Sequence, residues 1–324
     1  MQTSSDLPDS LIYYPDDRPG ITRRRAGRGW SYKAPDGTRI DDDRERARLN
    51  ALAVPPAYKD VWISPKQNGH LQATGLDTRT RKQCRYHPDW TAHRAAAKFD
   101  DLAGFGAALP ALRRRLHSVL TTGDVTDPEF AIAACLRLID RAALRIGTPD
   151  YAADNQTYGA STLRTRHLSL GADGVSVNYP GKGGQTVDKT VQDRTLQRAL
   201  EELDGLPTSS IMVFDGADGP QSITPAMVND WLHDTTGEAT ITTKTFRTWA
   251  GSAAAMGAAL DADRVSIKIM AQAAARRLHN TPTIARNSYI HPAVIALTDD
   301  PVPKPPDTPT GLRRDERALM ELLK

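Results

Sequence analysis

The sequence predicts an α+β protein. A small N-terminal antiparallel β-sheet domain with short helices precedes a larger, mainly α-helical domain that contains a three-stranded antiparallel sheet. Three observations carry this expectation. Residues 29–75 read as short strands punctuated by turns; from about residue 95 the apolar spacing lengthens to helical periods; between residues 162 and 191 alternation returns around a glycine-rich turn. The expected layout is a flexible N-terminus (1–20), an N-terminal domain (21–94), the larger domain (95–300), and a proline-rich linker with a terminal helix (301–324).

Bulk properties fit that layout. A chain of 324 residues suggests two domains, and 39% hydrophobic residues suffice for a core. Lys and Arg total 42 against 39 Asp and Glu, a net charge of +3 that by itself decides nothing. Arginine predominates among the cations, which suits forked recognition of phosphate or carboxylate. Cys84 and Cys135 make no disulfide framework. No apolar run is long enough to span a membrane, and residues 1–15 lack a secretory pattern, so a cytoplasmic location is expected.

In chain order, Trp30 and Tyr32 alternate with polar residues as in a strand. Pro35-Asp36-Gly37 is a turn, and Thr38 to Ile40 is the expected return strand. Asp42 to Leu52 reads as a helix with an acidic start, ended by Pro55-Pro56. Val61 to Ile63 and His70 to Thr74 are further strands. Leu76 to Lys98 mixes basic and aromatic residues, a composition that can track a phosphate backbone but also describes an ordinary solvated face. Cys84, His87 and His93 lack a convincing fourth ligand for zinc.

The larger domain opens with a helix from Glu129 to Ile146, begun by Asp127-Pro128 and stopped by Gly147. Thr162 to Leu170, Val175 to Tyr179 and Thr186 to Val191 are the three expected strands. Gly181-Lys182-Gly183-Gly184 joins the last two and puts Lys182 at a hairpin tip. Helices follow at Asp193 to Leu203, at Thr224-Pro225 onward, from Thr243 through Leu260, and over 265–278. Thr281-Pro282 then reads as an N-cap and first helical residue, with Tyr289 about two turns on.

A tyrosine so placed can attack phosphorus and become covalently linked to it. Such chemistry needs fixed donors for the nonbridging oxygens, for which paired arginines are suited. It also needs a proton for the leaving 5′ oxygen, which a lysine can supply. Arg145, Lys182, Arg247, Asn280 and Tyr289 can fill these roles. The pieces Arg145-Ile146-Gly147, Tyr179-Pro180-Gly181-Lys182, Lys244-Thr245-Phe246-Arg247-Thr248-Trp249 and Asn280-Thr281-Pro282 through Ser288-Tyr289 resemble, in this order, the type IB DNA topoisomerases. The likeness is to the compact bacterial branch similar to the poxvirus enzymes. Gly69 to Gly75 and Arg81 to Pro88 resemble that family's DNA-clamping domain, so the likeness runs from about Gly29 to Pro292.

The resemblance implies the tyrosine recombinase/topoisomerase IB-like catalytic fold and Tyr289 as nucleophile, joined to a 3′ phosphate. Arg145 and Arg247 would hold the scissile phosphate, Lys182 would protonate the leaving 5′ hydroxyl, and Asn280 would donate to a nonbridging oxygen where poxvirus members have histidine. It implies DNA contacts at Arg81, Lys82, Gln83, Arg85, Tyr86 and Lys244. It further implies double-stranded DNA as partner, a monomeric clamp around the duplex, and no metal, nucleotide or other cofactor. Leu76 and Cys84 depart from the family's arginine and tyrosine.

Each residue also has an ordinary structural reading. Arg145 can answer a helix dipole, Lys182 can be a loop lysine, and Arg247 can be a surface ion pair. A tyrosine recombinase is the nearest alternative, although its His-x-x-Arg box is Lys244-x-x-Arg247 here. A nonenzymatic DNA-binding protein is the other. Relaxation of supercoiled plasmid in EDTA, paired strand exchange, or retardation alone would separate the three.

Overall fold

The computed structural model describes residues 7–307 and 311–324. The first six residues of the expected flexible N-terminus, and 308–310 of the expected proline-rich linker, lie outside the described residues. The chain forms two compact units, residues 1–97 and 98–324.

The first unit is a five-stranded antiparallel sheet. Its strands are β1 (Ile21–Ala26), β2 (Gly29–Lys33), β3 (Lys59–Ile63), β4 (Leu71–Leu76) and β5 (Lys82–Tyr86), in spatial order β2-β1-β3-β4-β5. Helix α1 (Asp43–Ala51) lies between β2 and β3 in sequence, and Asp42 caps it by accepting from Glu45 N. Ile21, Tyr32, Leu49, Val61, Ile63 and Ala73 bury together as the core of this unit. The expected hairpin of residues 29–40 takes a different partner. Gly29–Lys33 pairs with the arginine-rich Ile21–Ala26, while Arg39 makes only an isolated bridge to Lys33. The run Arg23-Arg24-Arg25 hid that strand, because charge masks a pattern whose inward position is Ile21.

Helix α2 (Pro88–Asp100) follows β5. The second unit then contains α3 (Leu102–Thr122), α4 (Pro128–Ala142), α5 (Pro149–Asn155), β6 (Leu168–Gly171), β7 (Gly174–Pro180), β8 (Thr186–Val191), α6 (Arg194–Asp204), β9 (Val213–Gly216), β10 (Gly219–Ser222), α7 (Pro225–Thr236), α8 (Thr243–Leu260), α9 (Ile267–Leu278), α10 (Pro282–Tyr289), α11 (Pro292–Ala296) and α12 (Arg314–Leu322). The α+β expectation holds, with β6-β7-β8 as the three-stranded antiparallel sheet.

Helix α4 is the axis of this unit. Its residues Phe130 to Leu136, Leu138 and Ile139 are buried almost throughout, so it reads as a core helix rather than a surface one. Two of its polar positions are anchored: Arg137 and Arg141 both donate to Asp193, which also caps α6. Helix α12 folds back onto α3 and α8. There Glu316, fully buried, accepts from Arg113, from Arg313 and from Trp249 Nε1 at 3.0 Å. Burial opposes its ionisation, but Arg113 and Arg313 prevail and hold the carboxyl down at about 2.

Three boundaries differ from the sequence reading. Helix α4 ends at Ala142, not Ile146, because Ala143 adopts a left-handed backbone at φ 54. A non-glycine residue in that region costs about 1 kcal/mol or more, and the Ala143 carbonyl is captured there by the Arg247 guanidinium. Residues 160–162 and 165–167 are single 3₁₀ turns, so the expected strand begins only at Leu168. Thr242, one residue before the expected Thr243, precedes the first turn of α8.

Candidate active site

Four chain segments converge on one concavity of the second unit. It measures about 300 Å³ and is lined by Arg145, Tyr151, Lys182, Lys244, Arg247 and Tyr289 among others. Arg145 sits beyond the end of α4, in an extended segment rather than on the helix. Its carbonyl accepts from Ala160 N at 2.8 Å, and Ile146 O accepts from Ser161 N at 2.7 Å. A Cβ on Gly159 would lie 2.6 Å from Arg145 O, so only glycine allows this approach.

Arg247 lies in the first turns of α8 and is only 4% exposed. Its guanidinium donates to the carbonyls of Ala143 and of Leu278, the latter at 3.0 Å. These are helix-end carbonyls, where a cation is favoured by the macrodipole. Burial, and then the charge of Arg145, draw the Arg247 guanidinium down to about 10. Its Nε remains buried and has no partner among the described residues.

Asn280 follows His279, which ends α9 in the left-handed conformation at φ 48. Asn280 Oδ1 accepts from Arg145 Nη2 at 2.7 Å. With the oxygen so engaged, Nδ2 is buried without a partner among the described residues. Two orphaned donors in one site are unusual, since buried polar groups are nearly always paired.

Tyr289 is the last residue of α10, and Thr281 caps that helix by accepting from Ile284 N. The Arg247 guanidinium carbon lies 5.1 Å from the Tyr289 ring centroid. Burial alone would push the phenol up, but Arg247, then Arg145 and Lys244, more than offset it and leave it below its ordinary range. The tyrosine's main chain is fixed from α8: Ser252 Oγ donates to Tyr289 O at 3.2 Å and accepts from His291 N at 2.9 Å. A Cβ on Gly251 would lie 2.7 Å from Tyr289 O.

Lys182 stands exposed in the turn between β7 and β8, with its Nζ 5.4 Å from the centroid of the Tyr151 ring. Gly183 and Gly184 take positive φ, and Gly181 N donates to Gln185 O. The residues expected from sequence are thus gathered: Arg145, Lys182, Lys244, Arg247 and Tyr289 line the concavity, and Asn280 joins them through Arg145. Sequence reading missed Gly251 and Ser252. A glycine and a serine inside an alanine-rich helix were the available sign of close packing.

Residues 87–282 match the family described as eukaryotic DNA topoisomerase I, catalytic core, and residues 29–77 match that described as bacterial DNA topoisomerase IB, N-terminal domain. The chain belongs to the type IB DNA topoisomerases. It is therefore an isomerase acting on DNA. The DNA topoisomerase 1B of Acanthamoeba polyphaga mimivirus is 25% identical over 294 residues, which cover 84% of this chain and 85% of that protein. The catalytic-core match includes Arg145, Lys182, Arg247 and Asn280 and ends at residue 282, before Tyr289.

In this topoisomerase the N-terminal residues expected to meet DNA lie on or beside β5, an edge strand of the first unit. They are engaged within the protein. Arg81 pairs with Asp77 at 2.8 Å and Lys82 with Asp16 at 2.6 Å. Gln83 Nε2 donates to Asp77, and Arg85 Nη2 donates to Ala53 O. Tyr86 is 40% exposed at the end of β5. Cys84 is exposed on the same strand, opposite Thr74. Among the described residues no three His, Cys, Asp or Glu side chains cluster as a metal site, Cys84, His87 and His93 included. Among the same residues no helix is long and apolar enough to cross a membrane.

Proposed function

We propose that this type IB topoisomerase relaxes supercoiled DNA by cutting one strand through a 3′-phosphotyrosyl intermediate, allowing rotation, and resealing the nick. The observation that carries this reading is the pair of buried, unpartnered donors, Arg247 Nε and Asn280 Nδ2, gathered with Arg145 beside Tyr289. Fixed donors that need no reorganisation are what a pentacoordinate phosphorus requires, and each is worth far more in a dry site than in water.

In the forward step Tyr289 Oη attacks phosphorus and gives up its proton to solvent water, a loss the surrounding cations favour. The bond from phosphorus to the 5′ oxygen breaks as Lys182 delivers a proton to that oxygen. Arg145, Arg247 and Asn280 hold the nonbridging oxygens. Asn280 is a neutral donor, so its bond is weaker than one from an imidazolium. The energy of the broken bond is kept in the phosphotyrosine, and the reverse attack of the 5′ hydroxyl restores the strand. Neither ATP nor a metal ion has a step in this scheme. Lys244, one turn before Arg247, meets the backbone near the cut, and residues 81–86 meet it from the N-terminal domain. The enzyme works as a monomeric clamp on duplex DNA in the cytoplasm.

The test is incubation of negatively supercoiled plasmid with the protein in EDTA and no nucleotide. Relaxation that wild type performs and Tyr289→Phe does not is the expected result. Site-paired strand exchange would point to a recombinase, and retardation alone to a binding protein. For Lys182, the comparison is Lys182→Ala on an ordinary duplex and on one with a 5′-bridging phosphorothiolate. A thiolate leaves without a proton, so the second substrate restores much of the lost rate if Lys182 is the donor.

A further inference from the structure

The hairpin that presents Lys182 is fastened along its second strand to the end of α9. Lys189 of β8 donates from Nζ to the carbonyl of Arg277 at 2.6 Å. His279, the residue that closes α9, meets the backbone of Thr186 at the start of β8. The next carbonyl, that of Leu278, accepts from Arg247, and the residue after His279 is Asn280. One short stretch, Arg277 to Asn280, thus touches the hairpin, seats one arginine of the site and carries its amide donor.

Lys189 is an expensive way to make this junction. It is half-buried in register with Val177, and its acceptor is a main-chain carbonyl rather than a carboxylate. Its charged neighbours are Arg277 and Arg247, with His279 just past the end of α9 and Asp188 near His279. Burial first, and then those two guanidinium groups, draw its ammonium down to about 8. Keeping an ammonium there carries a desolvation cost that this one carbonyl bond must offset. Retaining a cation against that gradient is the pattern of a residue kept for activity.

We propose that Lys189 is a positioning residue for strand cleavage. It locks β8 to the end of α9, so that Lys182 at the hairpin tip is presented to the same phosphate that Arg247 and Asn280 hold. The proposal rests on Lys182 being the proton donor to the leaving 5′ oxygen. A longer reach for that proton slows departure of an alkoxide but not of a thiolate.

The experiment compares wild type, Lys182→Ala and Lys189→Met in single-turnover cleavage of an ordinary duplex and of a 5′-bridging phosphorothiolate duplex, with Tm measured at pH 7. Lys189→Met is expected to cleave the ordinary duplex on the order of 10 to 10²-fold more slowly, as for a small misplacement of a reacting group. On the phosphorothiolate it should recover most of the wild-type rate. Lys189→Gln, which keeps a donor for the Arg277 carbonyl, should fall between, and it supports the same comparison if the Met variant does not fold. An undiminished rate on the ordinary duplex overturns the proposal. So does a slow rate on both substrates while Lys182→Ala is rescued, or a lowered Tm with equal losses on both. Failure of Lys182→Ala itself to be rescued overturns the proton-donor assignment, a separate outcome visible in the same data.

Discussion

Arg145 donates to Asn280 Oδ1 at 2.7 Å, and this single bond engages the oxygen end of the amide. The oxygen is consumed, so Nδ2 is the atom left as a donor, buried and unpartnered among the described residues. Asn280→Ala removes that donor and also releases Arg145. Loss of one preorganised donor typically lowers a rate by about 10²-fold. Single-turnover cleavage of a suicide duplex should show a loss of that order with DNA affinity nearly unchanged. A wild-type rate would remove Asn280 from the phosphate's grip.

Gly251 faces the main chain of the tyrosine. A methyl carbon at this position would stand 2.7 Å from Tyr289 O, too short for any real contact, and the atom opposing it is backbone. Gly251→Ala must therefore displace the end of α10. We expect cleavage to fall by about 10²-fold, because sub-ångström to 1 Å errors in a nucleophile's position have that effect, while plasmid retardation persists. Unchanged cleavage would show that α10 absorbs the shift elsewhere.

Glu316 ties α12 to α3 and α8 from a fully buried position. Its folded carboxyl is held at about 2 against an ordinary 4.5, so its contribution is complete above about pH 4.5 and is lost as pH falls towards 2. That depression corresponds to about 3 kcal/mol. Urea unfolding of wild type and Glu316→Gln should differ most at pH 7 and converge as the pH is lowered through this window. A pH-independent difference would mean that packing, not the ion pairs, is what the glutamate supplies.

Asp16 and Asp77 occupy the cations of β5 and its approach. If Lys82 meets a phosphate, it must first leave Asp16. Such half-exposed pairs are worth about 1 kcal/mol or less, so Asp16→Asn should tighten DNA binding by less than about tenfold, and the gain should fade as salt rises. Titration by fluorescence anisotropy at two salt concentrations reads this directly. No change at low salt would place Lys82 away from DNA.

The sequence showed much of this site because its side chains belong to short local motifs: Lys244 and Arg247 one turn apart, Thr281-Pro282 opening the helix of Tyr289, Lys182 in a glycine-rich turn. Such features follow from capping and periodicity within a few residues. What it did not show is set by distant partners. Helix α4 stops at Ala142, and the carbonyl of the left-handed Ala143 is taken by Arg247, over a hundred residues away in sequence. Arg23 to Arg25 form a strand because the sheet pairs them, not because their pattern is strand-like. The small residues at Gly251 and Ser252 gain their meaning only from the backbone of Tyr289 packed against them.

The most direct test is to trap the covalent complex on a nicked suicide duplex, digest it, and map the modified residue and the DNA end it holds. The proposed mechanism predicts a single adduct joining Tyr289 Oη to a 3′ phosphate, with a free 5′ hydroxyl on the released strand. An adduct on any other side chain, or one joined to a 5′ phosphate, would contradict it.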